Sequence, residues 1–94
     1  MKGEPFAPPA AKKRILAILA SGSVAFSKHA EEELEKDGMN MVDASNILRG
    51  GVVEPGELER GSYRYRVRTP RMCVVVAFRS ETELRVVTAW RIKP

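Results

Sequence analysis

Seven apolar residues in a row, Met72-Cys73-Val74-Val75-Val76-Ala77-Phe78, constrain the fold of this chain more than any other feature. Such a run, closed by Arg79, reads as a central strand buried on both faces. Just upstream, residues 63–69 alternate strictly. Tyr63, Tyr65 and Val67 fall on one face of that strand, and Arg64, Arg66 and Arg68 on the other. Downstream, Leu84 to Ile92 forms a last strand, joined through Ser80-Glu81-Thr82-Glu83. Val52-Val53-Glu54 begins a shorter strand that Pro55-Gly56 turns or loosens. The C-terminal part is therefore expected to be an antiparallel meander.

Before Gly50-Gly51 the apolar period is helical. Residues 1–8 are rich in Pro and Gly and are expected to form a loose arm. Pro9 suits a first helical position, and Ile15, Leu16, Ile18 and Leu19 make an apolar stripe opposite Lys12 and Lys13. Ser21-Gly22 ends that helix. Val24-Ala25-Phe26 is long enough only for a small strand. Ser27 caps a second helix, with Glu31, Glu32 and Glu33 near its positive end, and Asp37-Gly38 stops it. Asn40 caps a third, whose Val42, Ile47 and Leu48 are expected to face inward. Helices first and strands afterwards make a single α+β domain over residues 9–94, without internal repeats.

Charge narrows the choice of partner. Sixteen Lys and Arg against twelve Asp and Glu give the 94 residues a net +4 and favour an anionic partner such as nucleic acid. The lone cysteine, Cys73, excludes an internal disulfide framework and offers no zinc pattern; within the apolar run it reads as packing. No stretch is long enough to span a bilayer, and no apolar segment near Met1 resembles a signal peptide. A soluble cytoplasmic protein is expected.

The last hairpin has two possible registers, and they place its arginines differently. With an even loop, Phe78 lies across from Arg85, which mixes apolar and charged groups on one face. With an odd loop, Phe78, Val76 and Val74 lie beside Val86, Thr88 and Trp90. The other face then carries Arg79, Arg85 and Arg91 around Ala77, Val75, Val87 and Ala89. A one-residue slip exchanges the faces, so burial of one face selects the odd loop. Arg64, Arg66 and Arg68 join the basic face. Alternate residues repeat at about 6.6–6.8 Å, comparable to the phosphate step of an extended nucleic-acid strand. Guanidinium groups bind phosphate bidentately. The competing reading is an edge strand guarded by charge against aggregation.

The only histidine, His29, sits two residues after the Ser27 cap, where helix N–H groups favour an anion. It reads either as a proton-transfer group or as a histidine that merely fixes the start of the helix. Tyr63 and Tyr65 read as core-face residues with one hydroxyl partner each, and Trp90 as core. RNA cleavage through the 2′-OH needs a base, an acid and cations around phosphorus. A histidine, a tyrosine acidified by arginines, and an arginine supply those groups. No carboxylate cluster or Cys/His set suggests a metal, and no cofactor is expected.

The string SGSVAFSKHAEEELEKDGMNMVDASNILRGGVVEPGE, then YRYRVR and the hairpin CVVVAF…LRVVTAWR, resembles the domain of unknown function numbered 4258. The shared features are an F-S-x-H-A opening, a Gly between two helices and a closing V-V-T-x-[YW]-R strand. The layout also looks like MqsR and other RelE-like toxins of bacterial toxin–antitoxin pairs. That resemblance implies a metal-independent endoribonuclease whose sheet face holds RNA and whose partner is an antitoxin protein. Carried over, the catalytic set is His29 with Tyr65 (or Tyr63) and Arg91 (or Lys93). The RNA-binding set is Arg64, Arg66, Arg68, Arg79, Arg85 and Lys93. MqsR has no histidine in the place of His29. A non-catalytic RNA- or protein-binding module on the same scaffold is the rival reading, and an accessory subunit with an acidic partner is the third.

Overall fold

The computed structural model describes residues 1–93. The chain runs through α1 (Pro8–Ser21), β1 (Ser23–Phe26), α2 (Lys28–Lys36), α3 (Met41–Gly50), β2 (Val52–Val53), β3 (Glu57–Glu59), β4 (Ser62–Arg68), β5 (Met72–Phe78) and β6 (Glu83–Arg91). This is the expected α+β order. The sheet runs β1-β6-β5-β4-β2, with β3 also paired to β4. It is mixed rather than purely antiparallel, because β1 lies parallel to β6. Three residues of strand propensity between two helices do not reveal which edge they will join. Here the Ser23 N–H donates to the Thr82 carbonyl at 2.9 Å and the Ser27 N–H to Val86 at 3.0 Å, which sets β1 against β6.

Local signals account for the helices. The Ser27 hydroxyl accepts the Ala30 N–H at 3.0 Å, a cap worth about 1 kcal/mol. Asn40 and Asp43 exchange side-chain and backbone bonds of 3.0 and 2.9 Å in a capping box that starts α3. Prolines open α1. Gly22 closes it because a Cβ there would collide with the Thr82 carbonyl oxygen of the neighbouring turn. Nine residues are too few for α2 to be stable alone; Ala30 and Leu34 dock it in the core.

The core lies between the helices and one face of the sheet. Ala11, Ile15, Ile18, Ala30, Leu34, Ala44, Ile47 and Leu48 from the helices join Tyr65, Val67, Met72, Val74, Val76, Phe78, Leu84, Val86 and Ala89 from the strands. Every residue of β5 is buried, as its composition requires. Several expectations are corrected. Phe6 is buried against Phe78 at 5.6 Å, edge to face, and Arg14 lies over its ring at 4.1 Å. Phe6 therefore anchors the expected arm to the core, while Met1, Lys2, Gly3, Pro5 and Ala7 stay exposed. Val42 is 67% exposed and Leu16 also faces outward, because the capping box and the α1 phase turn Ala44 and Ile15 inward instead. Lys12 is not a solvated charge: its Nζ donates to the Leu48 and Gly51 carbonyls at 3.0 and 2.6 Å and ties α1 to the end of α3. Burial lowers its pKa.

The β5–β6 hairpin begins in the odd register, with Phe78 opposite Leu84, Ala77 opposite Arg85 and Val76 opposite Val86. It then slips. Val75 pairs with Thr88, leaving Val87 as the extra residue of a β-bulge. Beyond the bulge every β6 side chain sits on the face opposite to the regular alternation. Ala89 goes into the core, Trp90 goes to the arginine face, and Arg91, opposite the core residue Met72, goes to the helix side. Trp90 is thus not core, and Arg91 is not on the basic face. The Ser27 hydroxyl holds the bulge by donating to the Val87 carbonyl at 2.8 Å.

Candidate nucleic-acid interface

On the helix-free face the strand registers set three rows across the sheet. Arg64 flanks Ala77 and Arg85, Arg66 faces Val75 and Thr88, and Arg68 faces Cys73 and Trp90. The small residues of β5 form the floor. Cys73, Val75 and Ala77 are buried although no helix covers them, because the stems of the flanking arginines and the Trp90 ring lie over them. Burial also pushes the Cys73 thiol pKa up, consistent with packing rather than reactivity.

The β4 arginines are not free. Glu59 lies 3.6 Å from Arg64, Glu57 3.9 Å from Arg66 and Glu54 3.2 Å from Arg68. Two of these carboxylates come from β3, folded back on β4 through Arg60-Gly61, both with positive φ as a two-residue hairpin turn needs. Sequence reasoning missed this strand. Its signal was present: Glu57-x-Glu59 alternates with the same period as Arg64-x-Arg66 across a possible turn. Exposed pairs of this kind contribute about 0–1 kcal/mol each, so they neutralise the row without locking it.

Arg79 and Arg85 differ. Among the described residues neither has a carboxylate within 4.0 Å, although Glu83 precedes Arg85 on the same strand face. They line a hollow of about 290 Å³ with Ser62, Arg64, Ala77 and Val87. The Arg64 Nε there is buried without a hydrogen-bond partner among the described residues. A second hollow of about 180 Å³ adjoins it through Arg64 and is lined by Glu57, Glu59, Arg66, Val75, Thr88 and Trp90. Trp90 is 37% exposed, with the Arg66 guanidinium 5.7 Å from its ring centre. Together the hollows form one shallow trough, basic at the Arg79–Arg85 end, aromatic at the Trp90 end and acidic along β3.

The three residues assigned to catalysis do not meet. Tyr65 is fully buried on the helix side, where its ring packs on Phe78 at 5.3 Å. Its hydroxyl donates to Glu4 Oε2 at 2.9 Å and accepts the Phe6 N–H at 3.0 Å. Burial first, with help from the Glu4 carboxylate, pushes its pKa up to about 12, the opposite of what an acid catalyst needs. Tyr63 is half-buried and packs against the core cluster. His29 is exposed on the first turn of α2, on the helix side of the sheet. Arg91 reaches the other end of that helix: its Nη2 donates to the Asp37 carbonyl at 2.9 Å, with Nε 3.8 Å from the Asp37 carboxylate. At 1.5 Å per residue the two ends of α2 are about 12 Å apart. Lys93 is exposed beyond β6, beside Pro70, Arg71 and Arg91, outside the trough. The structure therefore brings together Arg64, Arg66, Arg68, Arg79 and Arg85 from the assigned RNA-binding set, and leaves Lys93 apart.

No protein-family model, curated protein or solved structure matches the chain at a significant level. No helix among the described residues is long and apolar enough to cross a membrane.

Proposed function

We propose that this domain binds RNA across the helix-free face of its sheet, with Arg79 and Arg85 as the main phosphate contacts. The observation that carries the reading is the charge distribution of the trough. Four arginines and two glutamates line it, and the two arginines without acidic partners sit together over Ala77 at an open hollow. An unpaired guanidinium holds an anion without first giving up a carboxylate. Forked donors also fit phosphate better than a lysine would. An RNA ligand would place the chain in the cytoplasm.

The test is a titration of a short labelled single-stranded RNA at several salt concentrations. Binding should weaken as salt rises, with a log–log slope of about 0.7 for each phosphate contacted. In the Arg79→Ala/Arg85→Ala variant the affinity should fall and the slope flatten by roughly 1.4. Wild-type protein that ignores RNA at low salt would refute the reading.

The second reading is the ribonuclease toxin of a RelE-like toxin–antitoxin pair, favoured by the same open basic face, which such an enzyme also needs. It requires proton-transfer groups on the trough side, where His29 and the Tyr65 hydroxyl do not lie. Incubating the protein with RNA separates the two readings. Intact RNA supports the binding module. Cleavage, together with growth arrest on expression that His29→Ala or Arg91→Ala relieves, supports the toxin.

A further inference from the structure

Trp90 is the only tryptophan of the chain, and the β6 bulge brings it out of the core onto the arginine face. A regular hairpin would have buried it. Its exposed ring lies at the end of the trough away from Arg79 and Arg85. We propose that Trp90 is a base-stacking seat for single-stranded RNA, about two nucleotide steps from the phosphate seat at Arg79 and Arg85. This inference rests on the RNA-binding reading and deepens it.

The register supplies the spacing. Trp90 lies beside Cys73 and Arg85 beside Ala77, four residues apart along β5. At about 3.3 Å per residue that separation is roughly 13 Å. An extended strand repeats its phosphates at close to the two-residue β spacing of about 6.6–6.8 Å, so two nucleotide steps cover it. A mononucleotide reaches one seat or the other. Three nucleotides reach both. Between the seats run Val87 and Thr88, the two residues that the bulge sets opposite Val75. Thr88 lines the hollow there, where its hydroxyl can meet a sugar or base edge. The track follows β6 rather than β4, because Glu57 and Glu59 line the β4 side and would repel phosphates.

Ring chemistry favours a base over another planar ligand part. Every nucleobase presents a π face to an aromatic side chain, and the contact tolerates any sequence. The Arg66 guanidinium, at 5.7 Å, is near the outer limit of about 6 Å for a cation over an aromatic ring. It is held loosely enough to shift and cover the base from the other side. Duplex RNA keeps its bases stacked on one another and cannot use the Trp90 seat.

Intrinsic fluorescence reads the seat directly, since no other tryptophan contributes. Wild-type protein is titrated with adenylate ligands from the mononucleotide upward, with inorganic polyphosphate and with duplex RNA. Binding is measured in parallel by competition against a labelled oligonucleotide. The expected result is quenching by single-stranded ligands, with affinity rising at least about 10-fold between the mononucleotide and the trinucleotide. Polyphosphate and duplex should compete without quenching. Trp90→Leu should weaken single-strand binding roughly 10-fold and leave polyphosphate competition unchanged. If RNA binds with a salt-dependent affinity but leaves the fluorescence unaltered, the stacking seat is refuted and the RNA-binding reading stands. Equal affinity for mono- and trinucleotide refutes the spacing. If wild-type protein binds no RNA, both fall.

Discussion

Replacing Ser27 by alanine tests the joint that gives the trough its aromatic end. The Ser27 hydroxyl accepts the Ala30 N–H at 3.0 Å and donates to the Val87 carbonyl at 2.8 Å. Alanine removes both bonds. Loss of the helix cap costs about 1 kcal/mol. The partly buried Val87 carbonyl, left without its donor at the bulge, adds about 1 kcal/mol. The sum, about 2 kcal/mol, is a large share of the roughly 5–14 kcal/mol expected for a chain of this length. With an unfolding entropy near 2.1 cal/mol/K per residue, Tm should fall by roughly 10 °C. Ser27→Thr keeps the hydroxyl and should stay close to wild type. Thermal melts followed by far-UV circular dichroism measure the fall, and Trp90 fluorescence reports whether the bulge has moved. A fall of only about 5 °C would mean that the bulge is held by the strand pairing alone, and a Tm within about 2 °C of wild type would mean that neither bond contributes.

Three further outcomes follow from the geometry. Glu57→Gln/Glu59→Gln should raise RNA affinity several-fold in the same titration while changing stability by less than about 1 kcal/mol, because these pairs are exposed; unchanged affinity would show that β3 does not limit access. The Tyr65 hydroxyl, pushed up to about 12, holds its proton more tightly folded than unfolded. Its contribution is therefore intact below the ordinary value of 10.0 and is lost as pH rises toward 12, by at most about 1.4 kcal/mol per pH unit. Urea melts of wild type and Tyr65→Phe across that range should show a shallower alkaline slope in the variant, and equal slopes would contradict the assignment. Gly22→Ala forces β1 away from the Thr82 carbonyl and should cost about 1–3 kcal/mol by chemical denaturation, whereas a neutral result would show that the close approach is dispensable.

What could be read from the sequence was what neighbouring residues encode. The change of apolar period at Gly50-Gly51 separates helices from strands, and the caps at Ser27 and Asn40 lie where the structure has them. The unbroken run of β5 announces a strand buried on both faces. The alternation of β4 correctly divides Tyr65 and Val67 from Arg64, Arg66 and Arg68. In each case the information spans a few residues, and the physics is local: a dipole end, a capping oxygen or a two-residue repeat.

The functional face depended on contacts between residues far apart in the chain. The slip at Val87 turns Trp90 outward and Arg91 toward α2, and the hydroxyl that holds it belongs to Ser27, 60 residues earlier. The buried hydroxyl of Tyr65 finds Glu4 across 61 residues, which removes it from any site on the open face. The folding back of β3 neutralises Arg64 and Arg66, and Glu54 neutralises Arg68, which leaves Arg79 and Arg85 available. Composition and period set which side chains line each strand. The bulge and the pairing partner set which way they point, because a shift of one residue reverses every side chain beyond it.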